Sequence, residues 1–165
     1  MFNAGILSLF QFSLLGVYLG IARSAIESVV ELANEKTPNM RPSKLRESQV
    51  AQQRIGQAEA LRLSALSMLE RTCRILEERL SRDGVLTPRD HALRQMTGAQ
   101  VARDCSAAVD IAYEVAGTTG VFEGHKLERC FRDMHVATQH MGVSPGLFTM
   151  AGLTLLNEAA TAPVT

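Results

Sequence analysis

Arginine, aspartate and histidine fall close together late in the chain, in Leu127-Glu128-Arg129-Cys130-Phe131-Arg132-Asp133-Met134-His135-Val136-Ala137-Thr138-Gln139-His140-Met141-Gly142. Read as one helix, this segment puts Arg129, Asp133 and His140 along one stripe, because eleven residues make about three turns. An Arg and an Asp four residues apart can pair as a brace. An imidazole, with an ordinary pKa of about 6.5, can take up and return a proton at neutral pH. Metal chemistry is a poorer fit. His135 and His140 are five apart, about 140° around a helix, and so do not make the i, i+4 pair of a helical zinc site. The Glu-x-x-His motif that paired iron or manganese would need is absent from the sequence.

A second candidate is the stretch Gly117-Thr118-Thr119-Gly120-Val121-Phe122-Glu123-Gly124. Its backbone amides can approach an anion, but glycines and threonines also suit a helix C-cap followed by a turn. There is no Gly-x-Ser-x-Gly elbow and no Gly-x-x-x-x-Gly-Lys phosphate loop. The cysteines, Cys73, Cys105 and Cys130, are odd in number, far apart and never in a Cys-x-x-Cys pair. That pattern argues against a disulfide framework or a structural zinc site and for a reducing cytoplasm.

Helices must position these groups. Aromatic residues are only 5% of the chain, Trp is absent and there are five prolines, so helix formers dominate. After the polar, proline-containing connection 35–43, apolar residues recur at Ala51, Ile55, Ala58, Leu61, Ala65, Leu69, Cys73, Leu76 and Leu80. This spacing predicts a helix from about Leu45 to Arg82. Asp83-Gly84 ends it. Thr87-Pro88-Arg89-Asp90 starts the next, with Thr as N-cap, Pro at the first helical position and an acid three residues after the cap. That third helix is predicted to run to about Ala116. Its small residues form one stripe through Ala92, Met96, Ala99, Ala102, Cys105, Val109, Ala112 and Ala116, and another through Val101, Ala108 and Val115, which predicts packing on two sides. A fourth helix is expected from Lys126 to about Met141, with Leu127, Phe131, Met134, Thr138 and Met141 on its apolar face. A short last helix is expected from Gly146 to about Ala160. Long helices with short connections imply an all-α, antiparallel, up-down four-helix bundle, one domain over residues 1–165.

The first 22 residues carry no charge, and their length would suit a membrane span. Asn3, Ser8, Gln11, Ser13 and three glycines dilute the stretch, and no Lys or Arg precedes it as a secretory signal would require. The apolar period continues through Ala22, Ile26, Val29, Val30 and Ala33, so the stretch reads as the start of a buried amphipathic helix rather than a membrane segment. The 165 residues carry 17 Lys+Arg and 17 Asp+Glu, a net charge of zero that excludes a basic nucleic-acid binder. With 46% hydrophobic residues, one substantial core is available.

The order of elements resembles the C-terminal helical domain of the acyl-CoA dehydrogenase superfamily over nearly the whole chain. The resemblance rests on Leu127-Glu128-Arg129-Cys130-Phe131-Arg132-Asp133, on the preceding Ala116-Gly117-Thr118-Thr119-Gly120-Val121-Phe122 and on Leu19-Gly20-Ile21-Ala22-Arg23-Ser24-Ala25. Common acyl-CoA dehydrogenases place a catalytic Glu just before a Gly here, whereas this chain has Met141 before Gly142 and His140 before that. This looks like the flavin-dependent monooxygenase branch, in which a His of this segment faces the flavin and holds the oxygen-derived group or takes a proton from the substrate. The resemblance implies reduced flavin (FMN or FAD), molecular oxygen, a separate flavin reductase and a homo-oligomer, tetramer or dimer. It makes His140 the catalytic residue and Gly117, Thr118, Thr119, Gly120 and Phe122 the segment that approaches flavin, either its own or that of a neighbouring subunit. It makes Arg129, Arg132 and Asp133 structural support, and it leaves His135 a secondary, surface position. Family members also carry an N-terminal helical domain and a middle β-domain that these residues do not include, so the chain is expected to be either the C-terminal part of a longer flavoenzyme or a reduced relative that keeps only the oligomerising bundle. Two other readings stay open: an acyl-CoA dehydrogenase-like oxidoreductase domain with its base elsewhere, and a non-catalytic oligomerising bundle.

Overall fold

A computed structural model describes residues 4–39 and 42–161. Among them the fold is all-helical, with five α-helices and no strand: α1 (Ala4–Glu35), α2 (Gln49–Asp83), α3 (Pro88–Ala116), α4 (Lys126–Ala137) and α5 (Gly146–Thr161). Short 3-10 turns lie at Leu45–Glu47, Gly117–Val121 and Met141–Val143.

The central element is α3, which contacts each of the other four helices. Its small residues make this possible: Ala92, Ala99, Val101, Ala102, Cys105, Ala108, Val109, Ala112 and Ala116 are all buried, on more than one face. Its start is fixed by a complete capping box. Asp90 N donates to Thr87 Oγ1 at 3.2 Å, and Thr87 N donates to Asp90 Oδ2 at 2.8 Å. Arg79 near the end of α2 reaches the buried Asp90 carboxylate at 3.3 Å. The expected two-sided packing of this helix is present.

Side-chain pairs set the helix directions. From one end of α3 to the other, its partners on α2 are Arg79 with Asp90, Thr72 with Thr97 at 2.8 Å and Arg54 with Glu114, so α2 runs opposite to α3. Against α1 the order is the same on both helices, with Arg94 on Gln11 and Lys36 on the Ala116 carbonyl, so these two run alike. Asp110 meets His135 and Tyr113 stacks on Phe131, which makes α4 antiparallel to α3.

The uncharged stretch forms the first part of α1, apart from Met1–Asn3, which lie outside the described residues. By length and composition alone, Gln11–Glu35 could cross a membrane. In the fold its apolar stripe, Leu15, Tyr18, Ala22, Ala25, Ile26, Val29 and Ala33, is buried in the core. Burying one such large side chain stabilises by about 1.5–3 kcal/mol.

Two predicted boundaries differ. The helix expected from Leu45 begins at Gln49, because residues 45–47 form a 3-10 turn and Ser48 is extended. The fourth helix, expected to reach Met141, ends at Ala137. Its last carbonyls are claimed by other donors: Tyr18 Oη donates to Ala137 O at 2.5 Å, and Thr138 Oγ1 donates to His135 O at 3.0 Å. Gln139 N and His140 N then bond three residues back, to Val136 O and Ala137 O, which tightens the chain out of the α-helix.

Candidate functional site

His140 therefore does not share a helix stripe with Arg129 and Asp133. It is the extended residue (φ −69°, ψ 131°) that caps the 3-10 turn Met141–Val143, and it is exposed. Gly142 N donates to His140 Nδ1 at 3.0 Å, so the imidazole folds back over its own turn. The other side of the same residue is held as well: Gln11 Nε2 donates to Gly142 O at 2.9 Å. The Gln11 side chain in turn accepts from Arg94 Nη1 at 3.1 Å. Gln11 is 8% exposed, and Arg94, half-buried, has its pKa lowered by burial. Gly98 on α3 lies directly beneath. A Cβ there would run into Gln11 Nε2 and stand 3.0 Å from the Gly142 carbonyl oxygen. Two helices, α1 and α3, thus converge on the turn that presents His140.

Gly117 to Phe122 sits at the far end of α3. Gly117 is the C-cap, with φ 58° and ψ −141°, and the 3-10 turn Gly117–Val121 follows it. Gly117, Thr118 and Phe122 are exposed and Thr119 is half-buried. Gly120 points the other way: it is buried, and a Cβ there would meet the Tyr113 ring at 3.3 Å. Lys36 Nζ donates to Ala116 O at 2.7 Å and lies 4.0 Å from where a Gly117 Cβ would be. Lys36, Arg54, Glu114 and Gly117 border an open groove of about 470 Å³.

These two regions are not brought together within one chain. Gly98, under the His140 turn, and Gly117 are nineteen residues apart on or at the end of α3, about 28 Å at 1.5 Å per residue. The remaining predicted residues lie elsewhere. Arg129 Nε and Asp133 Oδ2 are 3.9 Å apart, with side chains 73% and 50% exposed, and Arg132 pairs with Glu128 at 3.0 Å on the surface. His135 packs against Phe131 with the two rings tilted by 58°, and contacts Asp110 Oδ1 through Nε2 at 2.9 Å. The three cysteines are unpaired thiols. Burial pushes Cys105 up to about 12 and raises Cys73 and Cys130 too, so none is a thiolate nucleophile at neutral pH. No group of three or more His, Cys, Asp or Glu could hold a metal ion among the described residues.

Gln11, Arg94, Gly98 and Asp110 escaped the sequence reading. Only Gln11 left a trace, as a polar residue inside an uncharged run, and nothing local says what it meets 131 residues later.

Residues 13–145 match the acyl-CoA dehydrogenase C-terminal domain family. The chain is 29% identical over 137 residues to the indole-3-acetate monooxygenase of Pseudomonas putida, a match covering 82% of this chain and 35% of that protein. Among solved structures it superposes on XiaF from Streptomyces sp. in complex with FADH2 and glycerol, with a TM-score of 0.83 at 18% identity, over 96% of this chain and 40% of that one. The 3-HSA hydroxylase from Rhodococcus sp. RHA1 gives 0.80 at 18% identity, over 96% and 39%. The chain thus spans well under half the length of these relatives. With the match running through all of α2, α3 and α4, the chain belongs to the acyl-CoA dehydrogenase C-terminal domain family.

Proposed function

We propose that this chain is the C-terminal helical portion of a two-component flavin-dependent monooxygenase that hydroxylates an aromatic or similar small organic substrate. The reading is supported by its likeness to an indole-3-acetate monooxygenase and by the His140 turn, an exposed imidazole held in a defined orientation. The position just before Gly142 holds Met141, a thioether that cannot serve as the carboxylate base of an acyl-CoA dehydrogenase. α1 to α4 are the up-down bundle, a reading supported by the opposed and matched orders of their side-chain pairs.

The residues present fit a flavin, FMN or FAD. Around Gly117 the donor set is cationic and polar: the backbone is open, the Thr118 hydroxyl is exposed and Lys36 supplies an ammonium group. Such a set suits an anionic portion of the cofactor, and the exposed Phe122 offers a flat apolar surface. Gly117, Thr118, Thr119 and Phe122 would hold it, and Gly120 supports them from inside by packing on Tyr113. When bound in reduced form, flavin supplies the electrons that activate molecular oxygen. His140 holds or moves a proton at the reacting oxygen. Because the two regions stand about 28 Å apart along α3, the Gly117 segment of one copy and the His140 turn of another serve one flavin, in a homo-oligomer, dimer or tetramer. A separate reductase delivers the reduced flavin, in the cytoplasm. Arg129, Arg132 and Asp133 support the scaffold.

The test uses the enzyme that contains this chain, supplied with reductase, flavin and ¹⁸O₂. One labelled oxygen atom in the product is expected. Consumption of reduced flavin with no labelled product from any aromatic acid or phenol offered would refute the reading.

A further inference from the structure

Gly142 ties His140 to its turn, and Gly142 is itself tied on both sides. Its N–H points at His140 Nδ1 at 3.0 Å, and its carbonyl receives Gln11 Nε2 at 2.9 Å. A nitrogen that accepts an N–H bond carries no proton of its own. In a neutral imidazole the proton then sits on the other nitrogen, since the bond made by one ring nitrogen decides the state of the second. The Gln11 amide cannot flip to present its oxygen to Gly142 without setting its NH₂ against the Arg94 guanidinium, two donors face to face. Arg94 therefore orients Gln11, and Gln11 orients Gly142. Gly98, with no side chain, leaves the room in which amide and carbonyl meet.

We propose that Gln11 is a positioning residue for His140: by holding the Gly142 carbonyl it keeps the Gly142 N–H on His140 Nδ1, so the neutral imidazole carries its proton on Nε2 and works as a hydrogen-bond donor. Of the two roles open to this histidine, holding an oxygen by donation and removing a substrate proton, the turn favours the first. Proton removal needs an unprotonated nitrogen, and that nitrogen is Nδ1, already occupied by Gly142. Protonating it breaks the bond that shapes the turn. The use of the donor rests on the flavin reading above, but the tautomer is a property of this chain alone.

The experiment is long-range ¹H–¹⁵N correlation of the ¹⁵N-labelled chain at a pH where His140 is neutral, without flavin. The wild type is expected to show a pyridine-type shift at Nδ1 and a pyrrole-type shift at Nε2. Gln11→Glu keeps the length and still accepts from Arg94, but it cannot donate to Gly142. It is expected to lower the ratio of Nε2–H to Nδ1–H by about fivefold, the ratio equivalent of one ordinary hydrogen bond. Gln11→Met, uncharged and of similar size, should do the same if the carboxylate disturbs folding. Val29→Ala removes buried apolar volume on α1 eighteen residues from Gln11 and weakens the fold without touching the His140 turn, so it should leave the tautomer where it was. A wild-type proton on Nδ1, or an unchanged ratio in folded Gln11→Glu and Gln11→Met, overturns the proposal. Either result leaves the flavin reading standing, and absence of hydroxylation would leave the tautomer result standing.

Discussion

The N-terminal half of α3, around Gly98, and its C-terminal end, at Gly117, carry the two candidate regions, and they are built by different means. At the Gly117 end the chain makes most of its own shape, with one distant tie, Lys36 Nζ on the Ala116 carbonyl. A glycine at φ 58° stops the helix, and a 3-10 turn follows, with backbone bonds between near neighbours. At the Gly98 end, residues far apart in sequence impose the shape: Gln11 and Arg94 act on Gly142 across 131 and 48 positions. A locally coded turn survives changes elsewhere in the fold. A turn held by distant side chains can be adjusted finely, and it is lost when any holder is removed.

The largest effect expected is on chemistry at the tethered end. His140→Ala in the enzyme that contains this chain should lower product formation by about 10²–10⁴-fold, the usual range for a positioned proton-handling group, with little change in melting temperature. Flavin consumption and labelled product are measured together. A large rise in unproductive flavin oxidation would place the loss at the oxygen that His140 holds. An unchanged coupled rate would remove His140 from the site.

Next is Gly98→Ala. The new methyl group meets the Gln11 amide, which has some freedom, and the Gly142 backbone carbonyl, which has little. Overpacking of this kind costs about 1–3 kcal/mol, and the upper end is expected because backbone stands in the way. Urea unfolding gives the stability, and the His140 resonances should shift with it. Gly117→Ala tests the opposite end by strain alone, since only Lys36 Nζ, at 4.0 Å, approaches the added carbon. A φ of 58° with ψ of −141° is close to a glycine-only region, so about 1–2 kcal/mol is expected, with His140 resonances unmoved. If Gly117→Ala shifted them, the two ends would not be independent.

Legibility in the sequence follows the same division. Thr87-Pro88-Arg89-Asp90 announced α3 because a capping box is a local interaction between neighbours. The small-residue stripes announced its central place, because a helix that approaches others on several faces cannot carry bulk there. Gly117 announced its own turn. The end of α4 did not show, because Thr138-Gln139-His140 contains no helix breaker and the helix is stopped partly by Tyr18, from the first helix. Reading that segment as continuous helix put His140 in line with Arg129 and Asp133. In the fold, one turn of 3-10 geometry separates them. The family resemblance pointed to His140 as a candidate without supplying its orientation, which comes from contacts no local pattern encodes.

The smallest effect is expected at Arg129, and it sharpens the comparison from outside both ends. Arg129 and Asp133 are exposed and 3.9 Å apart, a separation at which solvent screens most of the attraction. In a single folded copy, Arg129→Ala should change stability by less than about 0.5 kcal/mol. Yet the pair borders an open groove of about 440 Å³ between α1 and α4, alongside Val17 and Ile21, and Val17 is half exposed. If the proposed oligomer closes over this groove, the pair is dried and its removal costs more, because a charge left without its partner in a buried site is expensive. The measurement is urea unfolding of wild type and Arg129→Ala at two protein concentrations a hundredfold apart. Equal, small losses at both concentrations would make Arg129 a surface residue with no supporting role. A loss that grows at the higher concentration would make the support intermolecular, with α1 and α4 as the face that meets the next copy.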